Sequence, residues 1–357
     1  MKIKKMQDFL KNNNIDIALF YALSNSIDIN MYYFTGYRGK GCLIIPKNAV
    51  PFLLVPLMEY ERAQKSSRIK VIKWEKEKKL FEAAALCLKR DKIRKIGICY
   101  SSFTLAAYKS LRKFFRKRKF RDITKHIIQI RKIKTEKEIS LVRKSAEITS
   151  TVLEECIKKF NKLKTEKDVE AFLHKETINK GCTLAFPPIV ASGSSSSMPH
   201  CDPKKVKLKK GFCIIDFGVV YRGYHSDITR TIHIGRPVKK EAGYYSMLLD
   251  VQEAVIGCIS PGKKCKDIYE KAVHLLKDCS KNFTHGLGHG IGLQIHELPN
   301  LTPNSEDIIM DNMAFTVEPG IYFPGKFGIR IEDDILVAKN KVEVLTKVPK
   351  KLIIKGR

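Results

Sequence analysis

The most informative part of the sequence is a predicted β-hairpin, Asp216-Phe217-Gly218-Val219-Val220-Tyr221-Arg222-Gly223-Tyr224-His225-Ser226-Asp227. The predicted strands on its two sides are Cys213–Val220 and Tyr224–Ile234. With a turn centred between Tyr221 and Arg222, the two aspartates become direct cross-strand neighbours, about 5 Å apart at Cβ. Two carboxylates at that distance raise each other's pKa unless a cation lies between them. The hairpin therefore fits a cation site, although taken alone it fits two solvated surface aspartates better.

A second predicted hairpin places two glutamates in the same way. It runs from Thr316-Val317-Glu318-Pro319-Gly320 to Gly328-Ile329-Arg330-Ile331-Glu332. A turn centred on Gly325 puts Glu318 opposite Glu332, because each lies seven residues from that glycine. A glutamate after the apolar run Phe315–Val317 is seldom buried without a partner. A surface salt bridge and a metal ligand explain this hairpin equally well when it is considered alone.

Histidines are concentrated in residues 285–296, where His285, His289 and His296 occur with glycines at alternate positions from 286 to 292. Alternating glycines exclude a stable helix and let the backbone approach another group closely. A lone histidine is usually a core residue, but three within twelve residues favour a functional site. The serine-rich segment Ala191–His200 fits either a flexible linker or a loop that presents His200.

The combined residue types favour a metal site with hard, oxygen-rich ligands. One histidine with four carboxylates suits Mn²⁺, Fe²⁺ or Co²⁺ better than a thiolate-type zinc centre. Carboxylates from two hairpins can bridge two metal ions about 3.5–4 Å apart, which is the geometry of hydrolytic dinuclear sites. We therefore expect two divalent ions, Mn²⁺ or Co²⁺ in preference to Fe²⁺ or Zn²⁺.

The chain organisation predicts two domains with a boundary near residue 126, giving an N-terminal domain over residues 1–125 and a second domain over residues 126–357. In the first domain the predicted strands are Asp16–Leu23, Gly41–Ile45, Pro51–Val55 and Lys95–Cys99, and the predicted helices are Lys79–Leu88 and Leu105–Phe115. This pattern indicates an α/β domain with a covered sheet. Thr135 and Glu138 have capping-box spacing and open a predicted helix to about Phe160; Thr165 opens another to about Lys180. Glycines, prolines and β-formers dominate after Ala185, which indicates an α+β domain.

Composition limits the partners of the chain. The formal net charge is +30, and residues 1–125 contain 29 lysines and arginines against 10 aspartates and glutamates. The densest block, Arg112–Arg121, could attract polyanions. No nucleic-acid-binding motif accompanies the block, so we interpret it as a solvated helix face and do not expect nucleic acid as a partner. The first apolar run, Ile17–Leu23, is too short for a membrane span or a signal peptide, which predicts a cytoplasmic protein.

The order of these motifs resembles that of the pita-bread metallopeptidases, which include aminopeptidase P, prolidase and methionine aminopeptidase. The matching segments are Ala185–His200, Asp216–Thr231, His285–Glu297, Thr316–Tyr322 and Gly328–Asp333. The resemblance is weaker in the N-terminal domain, where Met31–Tyr37 is similar to the family's Tyr-Leu-Thr-Gly segment. It implies a creatinase-like α/β N-terminal domain, a pita-bread α+β catalytic domain and a homodimer.

The resemblance also implies a role for each matching residue. The implied metal ligands are Asp216, Asp227, His289, Glu318 and Glu332, with Asp227 and Glu332 bridging. Glu318 would in addition relay a proton, His296 would stabilise the tetrahedral intermediate and His200 would contact the substrate near the scissile bond. His285 would line the pocket for proline, and Tyr322 and Arg330 would orient the ligands.

The implied function is hydrolysis of Xaa-Pro bonds at the N-terminus of short peptides by a metal-activated hydroxide. The N-terminal domain disfavours a methionine aminopeptidase, which generally lacks one. A non-catalytic scaffold that binds polyanions or proteins is a further alternative, and the presence of all five ligands disfavours it. Two positions depart from the family pattern: Ser195 stands where Asn or Arg is frequent, and Asn300 stands where some prolidases have Arg. The second departure leaves open whether dipeptides or longer peptides are preferred.

Overall fold

The computed structural model describes residues 2–23, 27–74, 79–88 and 93–356. The chain divides into two compact units, Met1–Ile130 and Arg131–Arg357. This division falls a few residues beyond the predicted boundary at residue 126, which stays a prediction.

The N-terminal unit contains a mixed sheet with helices, as the sequence predicts. Its strands are β1 (Ile17–Ala22), β2 (Gly41–Pro46), β3 (Phe52–Pro56), β4 (Lys70–Trp74), β5 (Lys95–Ile98) and β6 (Lys119–Asp122). Within the described residues their order is β4-β3-β2-β1-β5-β6, with β1 antiparallel to β2 and parallel to β5. The helices are α1 (Lys2–Asn12), α2 (Ile29–Thr35), α3 (Tyr60–Ser66), α4 (Leu80–Cys87), α5 (Leu105–Phe114) and α6 (Thr124–Lys132). Every residue of β1 is buried, which agrees with the predicted covered sheet.

The basic block Arg112–Arg121 is only partly the helix face that the sequence predicts. Arg112 and Lys113 lie in the last turn of α5, where positive charge is favourable to the helix dipole. Lys119 and Arg121 instead lie on β6, one of the two edge strands of the sheet within the described residues, and both are exposed. Alternation on this short strand explains the difference, because Phe120 between them is buried in the core. Charges on an exposed edge also oppose pairing with a strand of another molecule.

Four helices of the second unit are α7 (Glu136–Lys159), α8 (Glu166–Asn179), α9 (Lys239–Cys258) and α10 (Cys265–Leu276). The capping box predicted at Thr135 is present, and the helix predicted to start at Thr165 also begins with a capping box, formed with Asp168. Neither α9 nor α10 was predicted, although α10 has its buried residues, Cys265, Ile268, Ala272 and Leu276, at helical spacing. These two helices pack on a core that includes strands of both hairpins described above.

The strands of the second unit are β7 (Thr183–Leu184), β8 (Ile189–Ser192), β9 (Gly211–Phe217), β10 (Val219–Tyr221), β11 (Tyr224–His225), β12 (Ile228–Ile234), β13 (Gly288–Gly290), β14 (Glu297–Leu301), β15 (Met313–Val317), β16 (Gly320–Phe323), β17 (Phe327–Arg330), β18 (Asp333–Ala338), β19 (Lys341–Val344) and β20 (Ile353–Lys355). Among the described residues, two larger sheets have the orders β20-β12-β9-β8 and β14-β13-β15-β18-β19. The first sheet carries Asp216, and the second carries His289. The α+β architecture agrees with the sequence prediction.

The register predicted for the first hairpin is wrong by two residues. Asp216 pairs with Thr229 rather than with Asp227. The turn centres between Arg222 and Gly223, whose φ angles are 47° and 89°. Two successive positive φ angles are typical of a two-residue type I′ turn, which moves the whole ladder relative to a turn centred one residue earlier.

Both predicted strands of this hairpin are also interrupted, at Gly218 and at Ser226-Asp227. A Cβ atom on Gly218 would lie 1.8 Å from the Ser226 carbonyl oxygen, so the close approach at the break requires glycine. Helix α7 supplies a hydrogen-bond partner at the break, since Thr149 Oγ1 accepts from the Val219 N–H at 3.2 Å. Asp227 is consequently held outside the regular ladder.

The register predicted for the second hairpin is confirmed. Gly320 pairs with Arg330 in β16–β17, and Val317 pairs with Asp333 in β15–β18, so one register continues on both sides of Glu318 and Glu332. Gly325, at the predicted centre of the turn, has a φ of 69°. The two glutamates lie in the short gap between the paired segments, opposite each other.

The serine-rich segment is not a linker. Residues Gly193–Ser197 form a 3-10 helix, and Ser196 is fully buried. The Ser196 hydroxyl lies within hydrogen-bonding distance of the Gly328 N–H, at 2.9 Å, and of the Gly193 carbonyl, at 2.6 Å. The segment is therefore attached to β17 and leads to His200 as an ordered loop.

Candidate metal centre

Three residues from separate parts of the second unit approach closely enough to share one cation. Asp227, His289 and Glu332 each offer a ligand atom, and these atoms lie within 4.8 Å of one another. His289 Nε2 is 3.8 Å from Asp227 Oδ2 and 3.4 Å from Glu318 Oε1. Asp216 lines the same cavity as these four residues. The structure therefore brings all five predicted ligands to one place, even though the first hairpin has a different register.

Two carboxylate oxygens in this cluster are buried without a hydrogen-bond donor among the described residues: Oδ1 of Asp216 and Oδ1 of Asp227. Buried polar atoms normally have a partner, and such an orphaned atom requires an explanation. Hard carboxylate oxygens are suitable ligands for divalent cations. The residues present therefore fit a metal ion.

The electrostatics of the cluster agree with this interpretation. Burial raises the pKa of Asp227 well above its usual value, and the charges of Glu332 and Asp216 raise it further. Burial likewise raises the pKa of Glu332 well above its usual value, with Glu318 and Asp216 adding to the shift. The pKa of Glu318 is also raised, chiefly by burial. Without a cation these carboxyls thus retain protons that they would release in water.

The raised pKa values predict how metal binding depends on pH. Because these groups hold protons more tightly in the fold, they stabilise the metal-free protein below about pH 4, and this contribution is lost as the pH rises through their folded-state pKa values. A divalent cation must displace those protons, so it binds more tightly at higher pH. We expect saturating Mn²⁺ to raise the Tm of chelator-stripped protein more at pH 8 than at pH 6. Equal increases at the two pH values would contradict the assignment of these carboxyls as ligands.

Close backbone contacts explain the glycines around His289. A Cβ atom on Gly288 would lie 2.0 Å from the Thr316 carbonyl oxygen, and one on Gly290 would lie 2.2 Å from the Leu298 carbonyl oxygen. The glycines therefore allow β13 to lie tightly between its neighbours. Thr316 then connects two candidate ligands, because its hydroxyl accepts from the His289 N–H at 3.0 Å and donates to Glu318 Oε1 at 3.1 Å.

A chain of hydrogen bonds connects the residues predicted to orient the ligands. Arg330 Nη2 donates to Asp216 Oδ2 at 2.6 Å, and Arg330 Nη1 donates to Tyr322 Oη at 2.6 Å. Tyr322 Oη in turn lies 3.0 Å from His285 Nε2. Burial raises the pKa of Tyr322 to about 12, so its hydroxyl stays protonated at neutral pH. Arg330 thus holds one candidate ligand while it fixes the ring of His285 through Tyr322.

The remaining predicted site residues, His200 and His296, line the same cavity, which has a volume of about 520 Å³. Both are exposed. The His296 ring centroid is 4.3 Å from that of His289. Although the side chain is accessible from the cavity, partial desolvation by the cavity wall lowers the pKa of His296, and His289 and His200 act in the same direction, so the ring is neutral at pH 7. Tyr322 does not line the cavity but lies behind His285.

Several residues that support the site were not predicted. Thr229 Oγ1 donates to Glu332 Oε2 at 2.6 Å, and Arg230 Nη1 donates to the Glu332 carbonyl at 2.6 Å. Asp334 Oδ2 accepts from the Asp227 N–H at 3.0 Å. Arg230, in the fully buried strand Ile228–Ile234, is 1% exposed. A charged residue flanked by β-formers was the signal from which it could have been found. A run of acids after Glu332 was the signal for Asp334.

The sequence matches two family descriptions. Residues 140–339 match Metallopeptidase family M24, and residues 2–133 match the Creatinase/Prolidase N-terminal domain. The chain belongs to metallopeptidase family M24. Membership of this family implies divalent metal ions, which agrees with the donor set of the cavity.

Relatives of this M24 metallopeptidase match it over nearly its whole length. An Xaa-Pro dipeptidase of Pyrococcus horikoshii is 34% identical over 361 residues, which cover 99% of this chain and 98% of that protein. The solved structure of an Xaa-Pro dipeptidase from Bacillus anthracis has a TM-score of 0.92 at 30% identity and 99% coverage of both chains. That of an X-Pro aminopeptidase from Thermotoga maritima has a TM-score of 0.90 at 30% identity, covering 96% of this chain and 98% of the other.

The creatinase-like and pita-bread fold assignment is therefore confirmed, as is the assignment to metallopeptidases. Among the described residues of this M24 metallopeptidase, no helix has the length and apolar character needed to cross a membrane.

Proposed function

We propose that this M24 metallopeptidase hydrolyses Xaa-Pro bonds at the N-terminus of short peptides and works as a cytoplasmic homodimer. The observation that carries the proposal is the buried cluster of Asp227, His289 and Glu332, with two orphaned carboxylate oxygens, inside a cavity that also presents three further histidines. The names of the relatives, Xaa-Pro dipeptidase and X-Pro aminopeptidase, support the choice of proline.

The residues that would hold two divalent ions are Asp216, Asp227, His289, Glu318 and Glu332. Mn²⁺ or Co²⁺ is the proposed pair, with Fe²⁺ or Zn²⁺ as the alternatives, and the four carboxylates among the five donors favour such hard, oxygen-binding ions over a thiolate-type zinc centre. When bound, such ions act as Lewis acids on a carbonyl oxygen and lower the pKa of water.

The other steps belong to side chains of the protein. Glu318 would accept and return a proton, since its carboxylate lies in the cluster with Oε1 3.4 Å from His289 Nε2. Neutral His296, exposed at the cavity, can donate an N–H to the oxygen on which negative charge develops. His200 would contact the substrate near the scissile bond, and His285, held by Tyr322, would line the pocket for the proline ring.

Hydrolysis of matched peptides tests the proposed specificity. The purified protein in Mn²⁺ should cleave Ala-Pro-Ala far faster than Ala-Ala-Ala, with kcat/KM differing by about a hundredfold or more, equivalent to about 2.7 kcal/mol of transition-state stabilisation. Equal rates would show a general aminopeptidase and would contradict the proposal. Light scattering of the same preparation tests the proposed dimer.

The positively charged side chains that line the cavity affect which length of peptide is preferred. A strict dipeptidase must bind the carboxylate that follows proline, and a guanidinium is the best donor for it. Among the described lining residues, Arg330 is the sole lysine or arginine. Its guanidinium already donates to Thr229, Tyr322, Pro199 and Asp216. Asn300 and Asp202 also line the cavity, and neither supplies positive charge.

We therefore expect cleavage of both Xaa-Pro dipeptides and Xaa-Pro-Yaa tripeptides, with kcat/KM values within about tenfold of each other. A dipeptide and its one-residue extension should compete in one tube with Mn²⁺ while both products are quantified. A preference of about a hundredfold for the dipeptide would mean that a dedicated carboxylate clamp exists.

A further inference from the structure

The loop between His289 and His296 is closed by a carboxylate. Glu297 follows His296 and begins β14. Its Oε1 accepts from the Gln294 N–H at 3.0 Å. A Cβ atom on Gly292 would lie 2.6 Å from its Oε2, so the carboxylate fills the inside of the loop. The conformation of residues 290–297 therefore depends on where this carboxylate is held.

Two cationic side chains at the start of the second unit hold it. Arg131 and Lys134 are only 6% and 2% exposed, and both form ion pairs with Glu297. Arg131 Nη2 also donates to the Gln294 side-chain oxygen at 2.8 Å, so one guanidinium nitrogen bonds two residues of the loop. Lys134 Nζ lies 3.5 Å from Glu297 Oε2.

The ionisation of Glu297, Lys134 and Arg131 has a different cause for each side chain. Burial opposes ionisation of Glu297, but Lys134 and Arg131 outweigh it and hold its pKa below the usual value. Burial lowers the pKa of Lys134, against the opposing effect of Glu297. Arg131 carries a permanent charge, so the anchoring of Glu297 does not depend on the protonation of Lys134.

His296 itself lacks a comparable support. In the part of the chain that the structure describes, no hydrogen bond to the His296 ring is present. The ring packs edge-on against the ring of His289. The position of the His296 ring is therefore determined by the backbone on either side of it. Glu297 is the next residue, so the anchoring of Glu297 fixes that backbone. A catalytic group misplaced by about 1 Å can lose about a hundredfold in rate.

We infer that Arg131, with Lys134 and Glu297, positions His296 for the reaction. This inference rests on the proposed function, because it needs the role of His296 in hydrolysis. Arg131, Lys134 and Glu297 are positioning residues rather than catalytic ones, since they act through the loop and do not line the cavity.

The test is a double-mutant cycle between Arg131→Met and His296→Ala. Arg131→Met leaves Lys134 to neutralise Glu297, so it does not leave an unpaired buried charge. We expect it to lower kcat by about 10–30-fold, with KM and metal content close to those of the wild type. In the His296→Ala background the same change should cost less than about twofold, because the residue it positions is already absent. Arg131→Lys should restore part of the kcat.

Lys132→Met is the matched control. Lys132 lies between the two cations and forms its own partly buried ion pair with Asp307 at 2.7 Å, so its loss tests damage to the segment in general. We expect its kcat to stay within about threefold of wild type. Gln294→Ala removes the hydrogen bond between Arg131 and the Gln294 side chain, and it should lower kcat by about three- to tenfold. Because Gln294 is exposed, this variant tests the inference even if Arg131→Met does not fold.

Three results would overturn the inference: a kcat for Arg131→Met or Gln294→Ala equal to that of the wild type, equal losses in the presence and absence of His296, or loss of metal. The last would mean that the segment positions His289 instead. Wild-type cleavage of Xaa-Pro peptides and its loss in His296→Ala are measured in the same series. An error in the proposed function is thereby distinguished from an error in this inference alone.

Discussion

Replacing Asp227 or Glu332 with alanine is expected to abolish hydrolysis of Xaa-Pro peptides. Both side chains are nearly fully buried and lie with His289 in one cluster of ligand atoms. If each bridges two ions, a single change damages both metal positions, and the activation of water by the pair is lost. We expect a loss of about 10⁴-fold or more in kcat/KM.

The measurement is steady-state hydrolysis in saturating Mn²⁺, with metal content determined on the same samples. Glu343→Ala is the matched control, because this carboxylate is exposed and pairs with Arg143 on the surface. It should retain full activity, since exposed pairs contribute about 0–1 kcal/mol to stability. Activity within about tenfold of wild type in Asp227→Ala or Glu332→Ala would refute the dinuclear assignment.

The second largest effect is expected for His296→Ala, with a loss of about 10²–10³-fold in kcat. The neutral imidazole lies exposed at the cavity beside His289, where it can donate to developing negative charge. Because the five candidate ligands do not include it, metal content should stay nearly that of the wild type.

Comparison with His274→Ala separates this effect from the general loss of a histidine, since His274 is exposed on α10. That variant should have wild-type kcat. If the metal ions leave His296→Ala, His296 is itself a ligand, and the assignment of His289 as the one histidine ligand is wrong.

The two hairpins show what local sequence can predict about this site. The register around Gly325 could be predicted because the turn is centred on a glycine, which adopts a positive φ without strain. The register of the other hairpin could not, because its turn needs a positive φ at Arg222, a conformation that arginine seldom adopts. Asp216 and Asp227 nevertheless meet, since the break at Ser226-Asp227 moves the second aspartate out of the ladder.

The network behind His296 could not be predicted for a different reason. Arg131 and Glu297 are separated by 166 positions, and this lysine- and arginine-rich chain offers many equivalent cations for any carboxylate. Charge alone gives no preference among them, because an ion pair depends on burial and on which segments the fold brings together. The capping box at Thr135 and the helix start at Thr165, by contrast, could be predicted because the residues that form them lie within three positions of each threonine.

The central claim is that two divalent ions at these five residues are needed for cleavage of Xaa-Pro bonds. Its most direct test is a titration of chelator-stripped protein with Mn²⁺, in which bound metal per chain and hydrolysis of an Xaa-Pro peptide are measured together. We predict activity below about 1% in the stripped protein and full activity when about two ions are bound per chain. Full activity without metal, or saturation with no bound ion, would contradict the account.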